Sequence, residues 1–367
     1  SYKTSFGNNT LVFAFDKAFS GTLLKFHFNY KDYTTITKNY SRSDYVTIPP
    51  FAKNANGYIE VVVPNEYEVY SLNPTFLNQD NKYIWQGKVP EKGINELFSM
   101  TNKRAKWKVS LKSFVKGQKD IEDVEVLIPN YFINGGQTVE SLNIKTSPNY
   151  TKIEDDKEND LKKIMVKDLN AKQLDVEVLV NIDNNYSTYR YINLNPTDFF
   201  NISDEDTATL STIVNKVRMD NNPNNLPLYV RLAEFVHSYI QYDEKYKGKD
   251  MTIEEILDKK KGVCVHYSIL YENLLKAAGI PATSVSGFSF NEDKNKFEEH
   301  AWTLVSLNGN WIPIDPTWGI YSGKLPISHI FLYKDIGSSI QYTVYRKGSM
   351  NDIITGNSFN IDYMGTN

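Results

Sequence analysis

From residue 174 to 182 every second residue is aliphatic: Leu174, Val176, Val178, Val180 and Ile182. Successive side chains of a strand point to opposite faces, so this run builds one apolar and one polar face as a strand. The same period of two recurs through the first two hundred residues. It appears in Thr10–Phe15, in Leu24, Phe26, Phe28 and Tyr30, and in Tyr58–Val63. It returns in Val109–Val115, Val124–Ile128 and Leu142–Ile144. These runs are bounded by Asn, Gly and Pro, the pattern of half-buried antiparallel strands. The 25 Tyr and 19 Phe of the chain suit the same architecture. Two β-sandwich-like domains are expected, residues 1–104 and 105–204, meeting near the basic stretch Lys103–Lys106.

After residue 205 the period changes. Leu210, Ile213, Val214 and Val217 recur at three and four, as on one face of a helix. Past an Asn-rich loop at 220–225, a second amphipathic helix carries Leu228, Leu232, Phe235, Val236, Tyr239 and Ile240, with Pro227 in its first turn. Thr252-Ile-Glu-Glu255 has the form of a capping box, in which Thr252 and Glu255 satisfy each other's amides. That third helix is expected to end before Gly262, a residue type suited to a left-handed turn. The expected class is α+β, with the helices gathered in a last domain, residues 205–367.

Charge and cysteine content exclude several functions. A net charge of -3 supplies no basic surface for nucleic acid or an anionic membrane. No run of ~20 apolar residues is present to span a bilayer. One cysteine in 367 residues allows no internal disulfide and no multi-cysteine zinc site. A lone thiol suits a secreted or cell-surface protein with no second cysteine to trap it. The first residue is Ser, so an upstream segment is expected to have been removed and no signal peptide can be read.

The lone cysteine begins a helical stripe. Tyr267, Leu270, Tyr271, Leu274 and Ala278 recur at three and four, which places Cys264 in the first turn of a buried helix. Unpaired amides and the helix dipole favour a thiolate there and can stabilise an oxyanion. The bland alternative is a small buried hydrophobe. Downstream, His300–Leu307 and Trp311–Asp315 flank Asn308-Gly309, a strong hairpin signal. With those two residues as the loop, Leu307 opposes Asn310 and Asp315 opposes Trp302. His300 lies two residues from Trp302 on the same face, a diagonal of about 7–8 Å from Asp315. Hairpin register alone thus brings an imidazole to a carboxylate. A thiol needs such a base to ionise and an acid to release its leaving group, and the carboxylate fixes the ring's tautomer. An ordinary surface ion pair is the alternative for these two.

Gly262-Val-Cys264, Gly279-Ile-Pro281, Gly287, His300-Ala-Trp302, Trp311 and Asp315-Pro-Thr317 occur in that order. This pattern, over roughly residues 205–330, resembles the bacterial transglutaminase-like family. The resemblance implies a papain-like core, with Cys264 as nucleophile on a helix, His300 as base and Asp315 as orienter on a sheet. It also implies an oxyanion donor upstream of the cysteine, for which Tyr242 and Gln241 are candidates. The segment with Ile128-Pro129, Gln137–Val139 and Leu142–Ile144 is weakly similar to the β-domain found upstream in such proteins. Trp302 and Trp318 are candidate cleft walls, with core packing as the alternative.

Other polar residues read blandly. His266 follows Cys264 by two and points elsewhere on a helix. His237 borders an apolar stripe, and His27 and His329 show no paired partner. The loop 291–296 is acidic but lacks calcium-loop spacing, so neither a metal nor a cofactor is expected. Three functions fit. The first is a hydrolase that opens a protein or peptide amide through a Cys264 thioester, its substrate in a cell wall among other settings. The others are a transglutaminase joining Gln to Lys, and a non-catalytic surface adhesion protein presenting loops of its β-domains.

Overall fold

A computed structural model of the protein describes residues 2–7, 10–15, 41–48, 56–71, 77–79, 82–129, 137–149, 152–156, 161–185, 204–222, 225–292, 294–333, 340–345 and 352–366. Within residues 1–39, β1 (Tyr2–Gly7) and β2 (Thr10–Phe15) pair antiparallel, from Tyr2 opposite Phe15 to Gly7 opposite Thr10. The expected strand through Leu24 and Tyr30, with His27, lies outside the described residues.

From residue 40 the chain continues as one compact unit. It begins with β3 (Ser41–Ile48), β4 (Asn56–Val62), β5 (Tyr67–Ser71), β6 (Leu77–Gln79), β7 (Lys82–Lys88) and β8 (Ile94–Asn102). These make two three-stranded sheets, ordered β3-β8-β5 and β4-β7-β6. There follow β9 (Arg104–Ile121), β10 (Asp123–Pro129), β11 (Gln137–Ser147), β12 (Lys152–Asp156), β13 (Leu161–Val166) and β14 (Ala171–Asn185). The alternation read from sequence is realised here. Leu174, Val176, Val178, Val180 and Ile182 of β14 are all buried, facing a core with Trp107, Val109, Leu111 and Val115 of β9.

The helical region opens with α1 (Asp204–Met219) and α2 (Leu228–Tyr239), then β15 (Gln241–Tyr242) and α3 (Ile253–Lys259). Pro227 is the N-cap of α2, one position before its first turn. Thr252 Oγ1 accepts from the Glu255 amide while Glu255 accepts from the Thr252 amide, so the capping box forms as expected. The left-handed position that ends α3 falls on Lys260 (φ 51°), not on Gly262. Gly262 lies instead in β16 (Lys261–Gly262), and it is small for another reason. A Cβ there would stand 2.6 Å from the Cβ of His266.

Then come α4 (Cys264–Ala277), β17 (Ala282–Asn291), β18 (Lys296–Leu307), β19 (Asn310–Ile314) and β20 (Ile330–Tyr333). The sheet order is β19-β18-β17-β20, all antiparallel. Leu270, Tyr271, Leu274 and Leu275 of α4 share a core with Leu232 and Val236 of α2 and with Ala282, Val305 and Ile314 of the sheet.

The last strands leave this layer. β21 (Gln341–Tyr345) pairs with β10, and β22 (Ile354–Gly365) pairs along β9. The resulting sheets are β12-β13-β10-β21 and β11-β14-β9-β22. The C-terminal strands therefore complete the second β-block rather than the helical region. Division of the chain near residues 104 and 204 stays a proposal. The fold is α+β, a β-rich N-terminal part followed by a mixed C-terminal part, as expected.

Gly287 sits between His300 of β18 and Phe331 of β20 in the sheet register. A Cβ at this position would collide with the Ile330 carbonyl oxygen and reach within 2.6 Å of the Trp302 ring. Gly287→Ala is therefore expected to lower unfolding stability by about 1–3 kcal/mol through overpacking. Urea denaturation measures it, and an unchanged midpoint contradicts this packing.

Candidate active site

The N-terminus of α4 is built to hold Cys264 at a fixed place. His266 Nδ1 accepts from the Val263 amide at 3.0 Å, and its Nε2 lies 3.0 Å from the Lys249 carbonyl oxygen. The ring is buried between two backbone groups, which gives His266 a structural task, as its bland reading had it. Further along α4, the Tyr267 hydroxyl donates to the Ile240 carbonyl at 2.6 Å and Tyr271 to that of Tyr229 at 2.9 Å. Cys264 itself retains 9% exposure at the head of this anchored helix. Of the first amides of α4, that of His266 donates to the Val263 carbonyl at 2.8 Å, which leaves those of Cys264 and Val265 to face a ligand beside the sulfur.

The hairpin supplies the other two groups. Its register is the one expected: Leu307 opposes Asn310, and pairing runs to Thr303 opposite Ile314. Asn308 (φ 52°) and Gly309 (φ 80°) form the loop, both left-handed as a type I′ turn requires. The ladder stops one pair short of the expected Trp302–Asp315 pairing. Asp315 instead exchanges backbone hydrogen bonds with Ile320 at 2.9 Å each way. The cause is local. Pro316 has no amide to continue a ladder, and Asp315 Oδ1 accepts from the Thr317 amide (2.9 Å) and the Trp318 amide (3.2 Å). The side chain thus closes its own turn.

His300 and Asp315 meet all the same, Nε2 to Oδ2 at 2.7 Å, and both are buried. Cys264 is also among the groups that raise the proton affinity of the His300 ring. Since Nε2 faces Asp315, Nδ1 is left for the sulfur. Burial alone disfavours a charged imidazole, but the Asp315 charge and hydrogen bond, with Cys264 adding to them, push His300 up to about 10. Burial likewise disfavours the Asp315 carboxylate, yet the His300 charge and hydrogen bonds from both His300 and His329 hold it well below the usual range. The arrangement favours an imidazolium held between a carboxylate and a sulfur. It can ionise a thiol and then return a proton to a leaving group.

The remaining expected residues divide. Trp318 is half-buried and stacks on the His300 ring, centroids 4.3 Å apart at 22°. Trp302 is no cleft wall: it is fully buried among Val285, Leu304, Trp311, Ile320 and Leu325, a floor beneath the imidazole. Gln241 and Tyr242 are neighbours on β15, so their side chains take opposite faces. Tyr242 is the one whose ring meets that of Tyr267 of α4, centroids 6.3 Å apart. Burial and the charges of Cys264, Glu244 and Glu298 raise its hydroxyl, which keeps it a donor.

Sequence reasoning missed His329. It is buried, with Nε2 3.2 Å from the same Asp315 Oδ2, and Ser289 Oγ is 3.2 Å from its Nδ1. Extending the β17–β20 register by one pair sets His329 across from Ser289, a signal visible only once those strands are known to pair. His237, by contrast, rests 3.0 Å from the Pro316 carbonyl oxygen. His300, Asp315 and His329 are all residues that can ligate metals, and their polar atoms lie within 4.8 Å of one another. The 2.7 Å contact of His300 with Asp315 is a hydrogen bond. Two ligands of a tetrahedral ion bound at about 2.0–2.1 Å stand farther apart, about 3.3 Å. The geometry fits the hydrogen-bonded triad better than an ion.

A cysteine at a buried helix start, with an imidazole and an acid on the adjoining sheet, defines the papain-like class of thiol site. Residues 212–316 match the family model of the transglutaminase-like superfamily, so this part of the chain is a transglutaminase-like domain. Among curated proteins, the chain is 30% identical over 100 residues to a protein-glutamine gamma-glutamyltransferase of Pseudomonas aeruginosa, covering 24% of this chain and 15% of that protein. It is 33% identical over 91 residues to the kyphoscoliosis peptidase of Mus musculus, covering 22% of this chain and 14% of that protein. The chain thus spans less than a sixth of either relative. In fold it is similar to a crystal structure of a candidate cysteine protease from Cytophaga hutchinsonii. The TM-score is 0.52 at 13% identity, covering 72% of this chain and 92% of that one.

The raised His300 value fixes a pH dependence of stability. An imidazole of ordinary affinity loses its proton near 6.5, whereas the folded protein holds this one to about 10. The contribution is therefore fully present below about 6.5 and declines as pH rises through about 10. Urea midpoints taken at about pH 6 and about pH 9 are expected to fall over that interval. Asp315→Asn is expected to flatten the fall, and an equal fall in that variant contradicts the ion pair.

Proposed function

We propose that the protein is a cysteine-dependent acyl-transfer enzyme acting on an amide of a protein or peptide, with hydrolysis as its reaction. The observation that carries this is the buried pair of His300 and Asp315, 2.7 Å apart, with Cys264 at the head of α4 among the groups that raise the imidazole's proton affinity. In this reading the Cys264 thiolate attacks the amide carbonyl carbon, forming a C–S bond and an oxyanion. The first-turn amides of α4 stabilise that oxyanion, with the Tyr242 hydroxyl as a second donor. The intermediate collapses as the C–N bond breaks, and the His300 imidazolium gives its proton to the departing amine. Neutral His300 then takes a proton from water, whose oxygen attacks the thioester. Acid is released, and the thiolate regains the imidazolium beside it.

A second outcome uses the same thioester, with a primary amine in place of water. The name of the Pseudomonas aeruginosa relative favours this reading. Water exclusion at the thioester decides between the two. Among the described residues no helix is long and apolar enough to cross a membrane. A single thiol with no second cysteine to trap it supports an extracytoplasmic setting.

Incubation with a Gln-containing protein and a labelled primary amine separates the outcomes. Released carboxylate without label is expected, and stable label on the substrate would replace hydrolysis by transfer. Cys264→Ala is expected to reduce either activity by about 10⁴-fold or more. Turnover unchanged in that variant would remove the thioester route.

A further inference from the structure

His329 is a buried histidine for which the acyl-transfer route above has no task. Its side chain is wholly enclosed, and each ring nitrogen has a polar partner. An ionised carboxylate only accepts, so Nε2, 3.2 Å from Asp315 Oδ2, must carry the ring's proton. Nδ1 is then an acceptor, and Ser289 Oγ at 3.2 Å donates to it. Ser289 Oγ also lies 3.3 Å from Nε2, but that proton is already directed to Asp315. The ring plane is fixed by edge contacts with Trp302 (5.2 Å, 75°) and Trp318 (5.3 Å, 81°).

The backbone that carries this ring is held from outside the helical region. Gln137 of β11 donates to the Phe331 carbonyl at 2.8 Å and accepts from the Phe331 amide at 2.9 Å. Asn184 of β14 donates to the Ile327 carbonyl at 3.1 Å and reaches that of His329 at 3.5 Å. The Ile327 amide donates to Thr101 Oγ1 at 3.0 Å. Three strands of the β-rich part therefore set the position of one imidazole.

We propose that His329 is a fourth polar member of the site, a positioning residue that donates from Nε2 to the same Asp315 oxygen that serves His300. It rests on the reading of Cys264, His300 and Asp315 as the acylating centre. Oδ2 then holds two donors and Oδ1 two backbone amides, so the carboxylate cannot rotate away from His300. His329 must stay neutral to do this without opposing the imidazolium. Burial, first, and the His300 charge lower its proton affinity, against the pull of Asp315. The other groups that face this network are Cys264 through His300 and Tyr321 through Asp315.

The test is the pH profile of Cys264 alkylation by iodoacetamide, with folding followed by circular dichroism. His329→Leu removes the donor, so Asp315 takes up a proton more readily and the acid limb of the profile moves upward by about one pH unit. That shift corresponds to a loss of about tenfold in rate on the limb. His329→Gln keeps a donor and is expected to restore most of the profile. A Leu variant that superimposes on wild type overturns the proposal, and so do Leu and Gln variants equally slowed without a shift. Should the Leu variant not fold, Ser289→Ala, which removes the donor that holds Nδ1 and so loosens the ring's aim at Asp315, is expected to move the limb in the same direction. An unmoved limb there overturns it too. A wild-type protein that alkylates no faster than free cysteine below neutral pH removes the acylating centre and this proposal with it. A normal wild type with an unmoved variant removes this proposal alone.

Discussion

Asp315 has no exposed surface, and a carboxylate without water must find its solvation in the protein. It finds four donors: the amides of Thr317 and Trp318, and the rings of His300 and His329. Each comes at a structural cost elsewhere. The two amides require the chain to leave the β18–β19 ladder at Ile314. The two rings come from β18 and from the residue before β20, and Gly287 between those strands carries no side chain, which leaves room for the Ile330 carbonyl and the Trp302 ring. Trp302 then lies across that gap as a floor, with its indole Nε1 buried and without a partner among the described residues. Such an orphan is expensive, and it is tolerated where the ring's large apolar area is also buried.

How much of this could be read in advance follows from the range of each interaction. The His300–Asp315 meeting depends on a two-residue loop, whose Asn308-Gly309 chemistry fixes register over the next several pairs. It was therefore legible to within one pair, and what spoiled the last pair was Pro316 and the side chain of Asp315 itself. The placement of Cys264 at a helix start was legible from the spacing of Tyr267, Leu270, Tyr271 and Leu274. His329 was not, because β17 and β20 are far apart in sequence and no turn residue specifies their pairing. The same holds for β21 and β22. No strand was expected in either, and only long-range packing sends them to β10 and β9.

Gly262 and Trp302 show a different limit. Gly262 was expected to serve a left-handed turn, and Trp302 to wall a cleft or to pack in the core. Gly262 makes room for the His266 ring, while Lys260 accepts the left-handed backbone that glycine would have adopted more easily. Trp302 sits on the same face as His300, as alternation demands, yet that face is the interior. Strand periodicity tells which residues share a side; it does not tell which side is wet when both faces are covered.

The β-rich part and the site are also physically joined. Gln137, Asn184 and Thr101 spend buried polar groups on the backbone of residues 327–331, and those bonds are unavailable to their own sheets. Buried side chains that bond a neighbouring segment's backbone fix its register, because a slide would leave those polar groups unpaired. Apolar contact alone would hold that segment in the core but leave it free to slide along the strand direction. Because the 327–331 segment carries a ring that touches Asp315, any such slide would be felt at the carboxylate and, through it, at His300. The upstream strands are thus part of what holds the Asp315 carboxylate and the His300 ring against each other, whatever else their outer faces do.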